Sequence, residues 1–285
     1  MNDTPAPAAT PREIVEPSST PATKPEKKEE SWLGFLWFCI KLLVVVLIFR
    51  SFVFTSFNIP SESMMPRLLV GDYLFAAKWP YGYSKRSLPG DAPLIPGRLF
   101  ASQPERGDIV IFEHPIDSSD YIKRVIGLPG DKVQMVAGVL HINESPVGME
   151  RVEDFIIPIA PDGRCAQARF TRRTNAGFAC VYPQFRETLP NGATYNTLDF
   201  GLGPADTTAP VVVPEGQMFL MGDNRDNSLD SRFPAQAGGG IGLVPQENLV
   251  AEASFMYWST DGTSNWVKPW TWFSAARWSR IGRGI

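Results

Sequence analysis

Two serines and one lysine carry the most pointed chemistry in this sequence. Ser61 and Ser63 stand in FNIPSESMMPRLLVGDYLF, between Pro60 and an apolar stretch, and Lys123 stands in DYIKRVIGLPGD. A serine hydroxyl becomes a nucleophile when a base takes its proton. A lysine amine, titrating near ~10.4 in water, serves as that base only where burial or neighbouring cations hold it neutral. Lys123 has suitable company in Tyr121, Ile122, Val125 and Ile126. If the run is extended, Lys123 shares a face with Tyr121 and Val125 while Arg124 points the other way. Pro60 fixes the backbone ahead of Ser61, and Pro66 limits the turn that follows. Taken alone, the serines would read as a polar turn and the lysine as a solvated strand residue.

Other chemistries lack their residues. His114 and His141 are the two histidines, with no HExxH and no close carboxylate–histidine cluster, so no metal and no cofactor are expected. The GxSxG elbow, the GxxxxGK[ST] loop and a GxGxxG following a strand are all missing. With 27 basic and 30 acidic residues the net charge is near -3, which offers no nucleic-acid footprint. Three cysteines exclude a disulfide scaffold and a four-thiolate zinc site. Cys165 and Cys180 read as lying in one polar loop and could pair, but spacing says nothing about Cα separation and leaves the question open.

The elements that must position these residues divide the 285-residue chain. Residues 1–31, with six prolines and ten charged residues, read as a disordered tail that cannot bury enough apolar surface to order itself. Residues 32–54 (WLGFLWFCIKLLVVVLIFRSFVF) are long enough to cross a bilayer core of about 30 Å, with Cys39 and an unfavourable Lys41 inside the span. No small-x-small site follows, so an uncleaved anchor fits better than a signal peptide. Arg12, Lys24, Lys27 and Lys28 precede the span and only Arg67 follows closely. The positive-inside bias therefore places the N-terminus in the cytoplasm.

Beyond the span the chain reads as mainly β. DIVIF (108–112), KVQMV (132–136), VLHIN (139–143) and QMFLM (217–221) are short strand-like runs, and KVQMV-AG-VLHIN reads as a hairpin. Two parts, 55–143 and 213–257, form the core. Between them, 144–212 weakens into proline, glycine and charge, an irregular insert carried as a second β-rich region. The segment 258–285 holds five of the eight tryptophans with Lys268, Arg277, Arg280 and Arg283, which suits either a membrane interface or rings covering the sheet.

Four blocks in order resemble the bacterial type I signal peptidases, membrane-anchored serine endopeptidases that remove signal peptides. They are IPSESMMPRLLVGDYLF (59–75), RGDIVIF (106–112), YIKRVIGLPGDKV (121–133) and MGDNRDNSLDSR (221–232). The resemblance implies a coiled β-sheet catalytic domain behind the anchor, with Ser63 as nucleophile and Lys123 as general base. It implies that Ser61 joins the Ser63 backbone N–H in the oxyanion hole and that Ser228 orients the lysine. Asp230 and Arg232 match a supporting ion pair, with Gly222 and Asp223 in the same block. Phe57, Ile59, Met64, Leu68, Ile111 and Ile122 fall where the family lines its small substrate pockets. Cleavage after Ala-x-Ala, on the outer face of the inner membrane, is implied, as are the bilayer, the signal peptides of exported preproteins and functional contact with the secretion translocon as partners. Three features depart from the family: AQAGGGIG after SRFP is longer than the usual link, a single N-terminal span replaces the paired spans of some relatives, and 144–212 carries no transferable motif. A binding module for exported chains is the rival from another class, but it has no need of Ser61, Ser63 and Lys123 together. A self-cleaving regulator with the same dyad generally carries a DNA-binding segment, and the span argues against it.

Overall fold

The computed structural model describes residues 32–159, 163–175, 177–265 and 267–285. The expected solvated tail, 1–31, lies outside the described residues, as does Trp266.

The first element is an α-helix, Trp32–Phe52, whose 21 residues at ~1.5 Å each match a bilayer core. Apart from Lys41, Arg50 and Ser51, its side chains are apolar on every side, with a mean hydropathy of 2.5 over its most apolar stretch, none of which is buried. The helix stops two residues short of the expected 54. Phe54 is as apolar as the span, but its backbone pairs with Ala77 and opens the strand Phe54–Asn58. Hydropathy alone cannot mark where an apolar helix hands over to an apolar strand.

The rest is mainly β, built on a curled half-barrel sheet. Seven strands run in the order Phe54–Asn58, Asp72–Ala77, Leu249–Ser259, Ile109–Glu113, Asp120–Gly127, Gln217–Met221 and Val244–Pro245. Every neighbouring pair is antiparallel. Strand alternation sends Ile109 and Ile111 to a cluster with Ile59, Met64, Leu68 and Leu74. Val110, Phe112 and Val125 go to the opposite face with Leu220 and Leu249. The lysine strand, Asp120–Gly127, pairs along its first half with Ile109–Glu113. On its other side Gln217–Met221 reaches only Arg124, Val125 and Gly127, so Asp120–Lys123 keep an open edge there.

Lys132–Val136 and Val139–Ile142 form the expected hairpin. Its two-residue connection needs positive φ at both positions, and Ala137 (47°) and Gly138 (84°) supply it. The 144–212 region is more regular than its sequence. Gly148–Pro158 and Gly177–Thr188 pair as strands of 11 and 12 residues, flanked by Thr171–Thr174 and Thr194–Leu198. Most of Gly148–Pro158 is exposed, so no buried face imposes the period-two apolar signal that marks a strand. Cys180 lies in that sheet rather than in a loop and forms a disulfide with Cys165, their Cα atoms 5.5 Å apart. The disulfide packs with Phe170, Tyr182, Leu198 and Phe200 against Met65 and Leu69, just downstream of Ser63.

In the C-terminal segment Trp270 and Trp278 remain 68% and 55% exposed, so these rings do not serve as core. The segment is tied down instead by Arg280, which reaches the fully buried Asp72 at 2.5 Å.

Candidate active site

The sheet brings together two segments sixty residues apart. Beyond Asn58, Ile59 and Asp72 hydrogen-bond across the start of the next strand, which turns 59–63 toward the lysine strand. Ser63 and Lys123 are both buried, and Lys123 Nζ lies 2.8 Å from Ser63 Oγ. The amine also donates to the Ile122 carbonyl at 3.1 Å. Ser61 is exposed, with its Oγ 3.3 Å from Ser63 Oγ. Burial pulls the Lys123 pKa down to about 8, against the more distant Asp230 and Asp223, which favour the charged form. Neither carboxylate is within ion-pair distance of the amine, because each has another partner. Asp230 pairs with Arg232 at 2.9 Å, both side chains fully buried. Asp223 receives Arg124 Nε at 2.7 Å and Nη2 at 2.6 Å.

The 221–232 block packs directly on the serine segment. Asn224 N donates to the Ser63 carbonyl at 3.0 Å, and Gly222 N donates to Asp230 Oδ2 at 3.0 Å. A Cβ at Gly222 would meet Ser228 Oγ at 2.3 Å and the Ser63 carbonyl oxygen at 2.5 Å, so only glycine lets the two segments approach this closely. Ser228 lines the same cavity as Ser63 and Lys123, and its Oγ is buried without a hydrogen-bond partner among the described residues. It stands beside the dyad without holding the amine.

Phe57, Ile59, Met64, Leu68, Ile111 and Ile122 all belong to one apolar cluster on the Ile122 face of the lysine strand. Over the strand's open edge a cavity of about 480 Å³ is lined by Ser61, Ser63, Tyr121, Ile122, Lys123 and Ser228. The long AQAGGGIG link contributes Gly238 and Gly239 to its wall. That link is held by a hydrogen bond between buried His114 Nε2 and the Gly240 carbonyl at 3.2 Å, and by Gly238 N donating to Asp117 at 2.7 Å.

The sequence reading missed a buried ionic network behind the dyad. Arg124 stacks over the Tyr195 ring at 4.2 Å, the Tyr195 hydroxyl donates to Glu187 at 2.8 Å, and Glu187 pairs with Arg225. Burial works against the charge of Arg225, but Glu187 outweighs it and raises the guanidinium pKa. Glu187 and Tyr195 come from the insert, so 144–212 is wired to the site's supporting block. Arg124 was visible as the outward neighbour of Lys123. Nothing in the sequence around Glu187 marks it, since a glutamate in a half-exposed strand looks solvated. Asn227 is also tied to the serine segment, donating to Glu62 at 2.8 Å.

A buried serine hydroxyl in contact with an amine whose pKa burial has lowered, with backbone N–H groups and a second hydroxyl nearby, can perform acyl transfer on an extended chain. A family model described as "Signal peptidase, peptidase S26" matches residues 32–258. Signal peptidase I of Rickettsia conorii is 36% identical over 295 aligned residues, covering 95% of this chain and 98% of its own length. Signal peptidase I of Rickettsia canadensis is 38% identical, covering 90% and 93%. Among solved structures, a signal peptidase I from Enterococcus faecalis aligns with 54% of this chain and 98% of its own at 22% identity and a TM-score of 0.28.

Proposed function

The chain belongs to the signal peptidase family, peptidase S26, and on that premise we propose that Ser63 is its nucleophile and Lys123 its general base. It is a serine endopeptidase of signal-peptide processing, and its apolar N-terminal helix fits a single-pass anchor in the bacterial inner membrane. The observation that carries the dyad is the 2.8 Å contact between Lys123 Nζ and Ser63 Oγ inside a buried site.

In the reaction the neutral amine accepts the Ser63 hydroxyl proton as Oγ attacks the scissile carbonyl carbon. The developing oxyanion takes hydrogen bonds from the Ser63 N–H and the Ser61 hydroxyl; one such donor is worth about 2.7–4 kcal/mol. The lysine ammonium then gives its proton to the leaving amine as the C–N bond breaks, leaving an acyl-serine and the released mature chain. A water, deprotonated by the regenerated amine, attacks the ester and frees the signal peptide's new carboxyl end. The substrate adds as an extended strand on the open Asp120–Lys123 edge, where backbone pairing supplies affinity and alternate side chains supply specificity. Its alternate residues face the cluster around Phe57, Ile59, Met64, Leu68, Ile111 and Ile122, whose shallow surface accepts alanine-sized groups and so selects Ala-x-Ala. With the N-terminus cytoplasmic, this site faces the outer side, in functional contact with the translocon from which substrates emerge.

The decisive test is cleavage of a preprotein whose signal ends in Ala-x-Ala, by wild type and Ser63→Ala in detergent. A single cut after the second alanine, lost in the variant, is expected. Cutting by a folded Ser63→Ala protein overturns the dyad, and binding by wild type without any cut favours the binding module.

A further inference from the structure

A second polar cavity lies between the end of the anchor helix and the active site. It measures about 270 Å³ and is lined by Arg50 and Ser51 of the helix's last turn, by Thr55 and Phe57 of the first strand, and by Lys78 and Asp120. Asp120 lines this cavity and the catalytic one alike. Moving along the open edge from Lys123 back to Asp120 covers three residues, roughly 10 Å at a strand's rise. A substrate strand that begins upstream of the cut and runs along this edge therefore has to pass the cavity on its way from the bilayer.

The cavity is lined by the carboxylates of Asp91, Glu113 and Asp120 and by donors that the protein leaves underused. Lys78 is 5% exposed, yet its ammonium donates only to the Arg86 carbonyl, at 3.0 Å, and no carboxylate stands within ion-pair distance. Arg86 is committed to Glu113, and its Nη1 to the Glu247 carbonyl at 2.9 Å. The Arg50 side chain makes neither a hydrogen bond nor an ion pair among the described residues. Burial also lowers the Lys78 pKa to about 8, against Asp120 and Asp91, as expected of an amine short of partners.

A signal peptide crosses the membrane as an apolar helix and must unwind before it can lie extended in a protease. The last turn of such a helix presents four carbonyls without intrahelical partners and the negative end of its dipole. We infer that this cavity is the docking site for the C-terminal turn of the substrate's apolar helix, with Lys78 and Arg50 as donors to its free carbonyls. The inference rests on the Ser63–Lys123 reading and adds to it how the residues upstream of the small-x-small site are positioned. The cavity would fix where the helix stops, and the distance to Ser63 would then set how many extended residues separate the apolar segment from the cut.

The test compares two substrates in the full-length enzyme in detergent. One is a preprotein; the other is a short peptide that spans the cut but lacks the apolar segment. Lys78→Met and Arg50→Gln should each lower the preprotein-to-peptide ratio of kcat/KM about fivefold, mainly through the preprotein KM. An unchanged ratio in both variants, with Ser63→Ala inactive on both substrates, overturns the docking site and leaves the dyad standing. Activity retained by Ser63→Ala would instead break the reading beneath it. An equal loss on both substrates that phospholipid vesicles restore would identify the cavity as a lipid-headgroup site and also overturn the inference. Arg50→Gln, at an exposed position, keeps the test decisive if Lys78→Met does not fold.

Discussion

Lys123 and Arg124 are neighbours on opposite faces of one strand, 4% and 7% exposed, and the protein treats their charges in opposite ways. Arg124 meets Asp223 through two hydrogen bonds and donates a third to the Gly107 carbonyl at 2.7 Å. Burial opposes its charge, but Asp223 more than compensates, and its pKa is raised. Lys123 is buried as deeply, yet the two carboxylates that could stabilise its ammonium are engaged by Arg232 and Arg124. Desolvation without pairing drives an amine toward neutrality, and desolvation with pairing locks a guanidinium in place. The paired face is thus scaffold and the unpaired face is reagent. The scaffold's ion pairs do more than hold the fold, because they keep carboxylates away from the amine.

The strongest way to break this comparison is to put the scaffold's side chain on the reagent face. Lys123→Arg preserves charge, length and most of the packing, but a guanidinium with a pKa above about 12 cannot accept the serine proton. Preprotein cleavage should fall by at least about 10³-fold while circular dichroism stays native. More than a tenth of wild-type turnover would mean that the base is some other group.

The next largest effect belongs to the paired face. Glu187 and Arg225 side chains are 2% and 3% exposed, so Glu187→Gln leaves a buried guanidinium without its counter-charge. Breaking such a pair costs about 3–5 kcal/mol. Denaturant unfolding should show a loss of that size, with cleavage per folded molecule much less affected. A loss under about 1 kcal/mol would mean that the network is solvated and structurally idle.

What could be read from the sequence followed from where the physics is local. The hairpin at 132–142 was legible because a two-residue turn and alternating strands are short-range signals. The serine segment and the lysine strand stood out as polar residues in apolar company, and the block around Ser228 through its resemblance. The insert was not legible, since a strand without a buried face, such as Gly148–Pro158, loses its alternation, and Glu187 acquires meaning only when Arg225, 38 residues away, folds onto it. The disulfide was open for the same reason: Cys165 and Cys180 meet because Gly177–Thr188 is a strand, which the spacing of two cysteines cannot disclose. The lysine cavity beside the anchor was also hidden, because Lys78 becomes buried only when the strands before and after it close around the helix end.

The finest test of the two-face comparison is the pH dependence of kcat/KM on a short peptide, which reports the free enzyme. The reactive form is the neutral amine, so the active fraction grows as pH rises through the Lys123 pKa of about 8. Below that point the rate should climb about tenfold per pH unit, and above it the curve should level off. At pH 7 about one molecule in ten would hold the neutral amine, against a few in ten thousand for a lysine at its ordinary value near ~10.4. The sign is fixed by burial: a lysine held charged by a carboxylate would move the rise to higher pH instead. Because Arg225 and Glu187 lie on the scaffold side, Glu187→Gln should leave the midpoint within about half a unit of wild type even as it destabilises the fold. A profile flat from pH 6 to 9, with chemistry limiting, removes the lysine base. A midpoint displaced by a full unit in Glu187→Gln would show that scaffold and reagent share one electrostatic system and that the strand does not separate them.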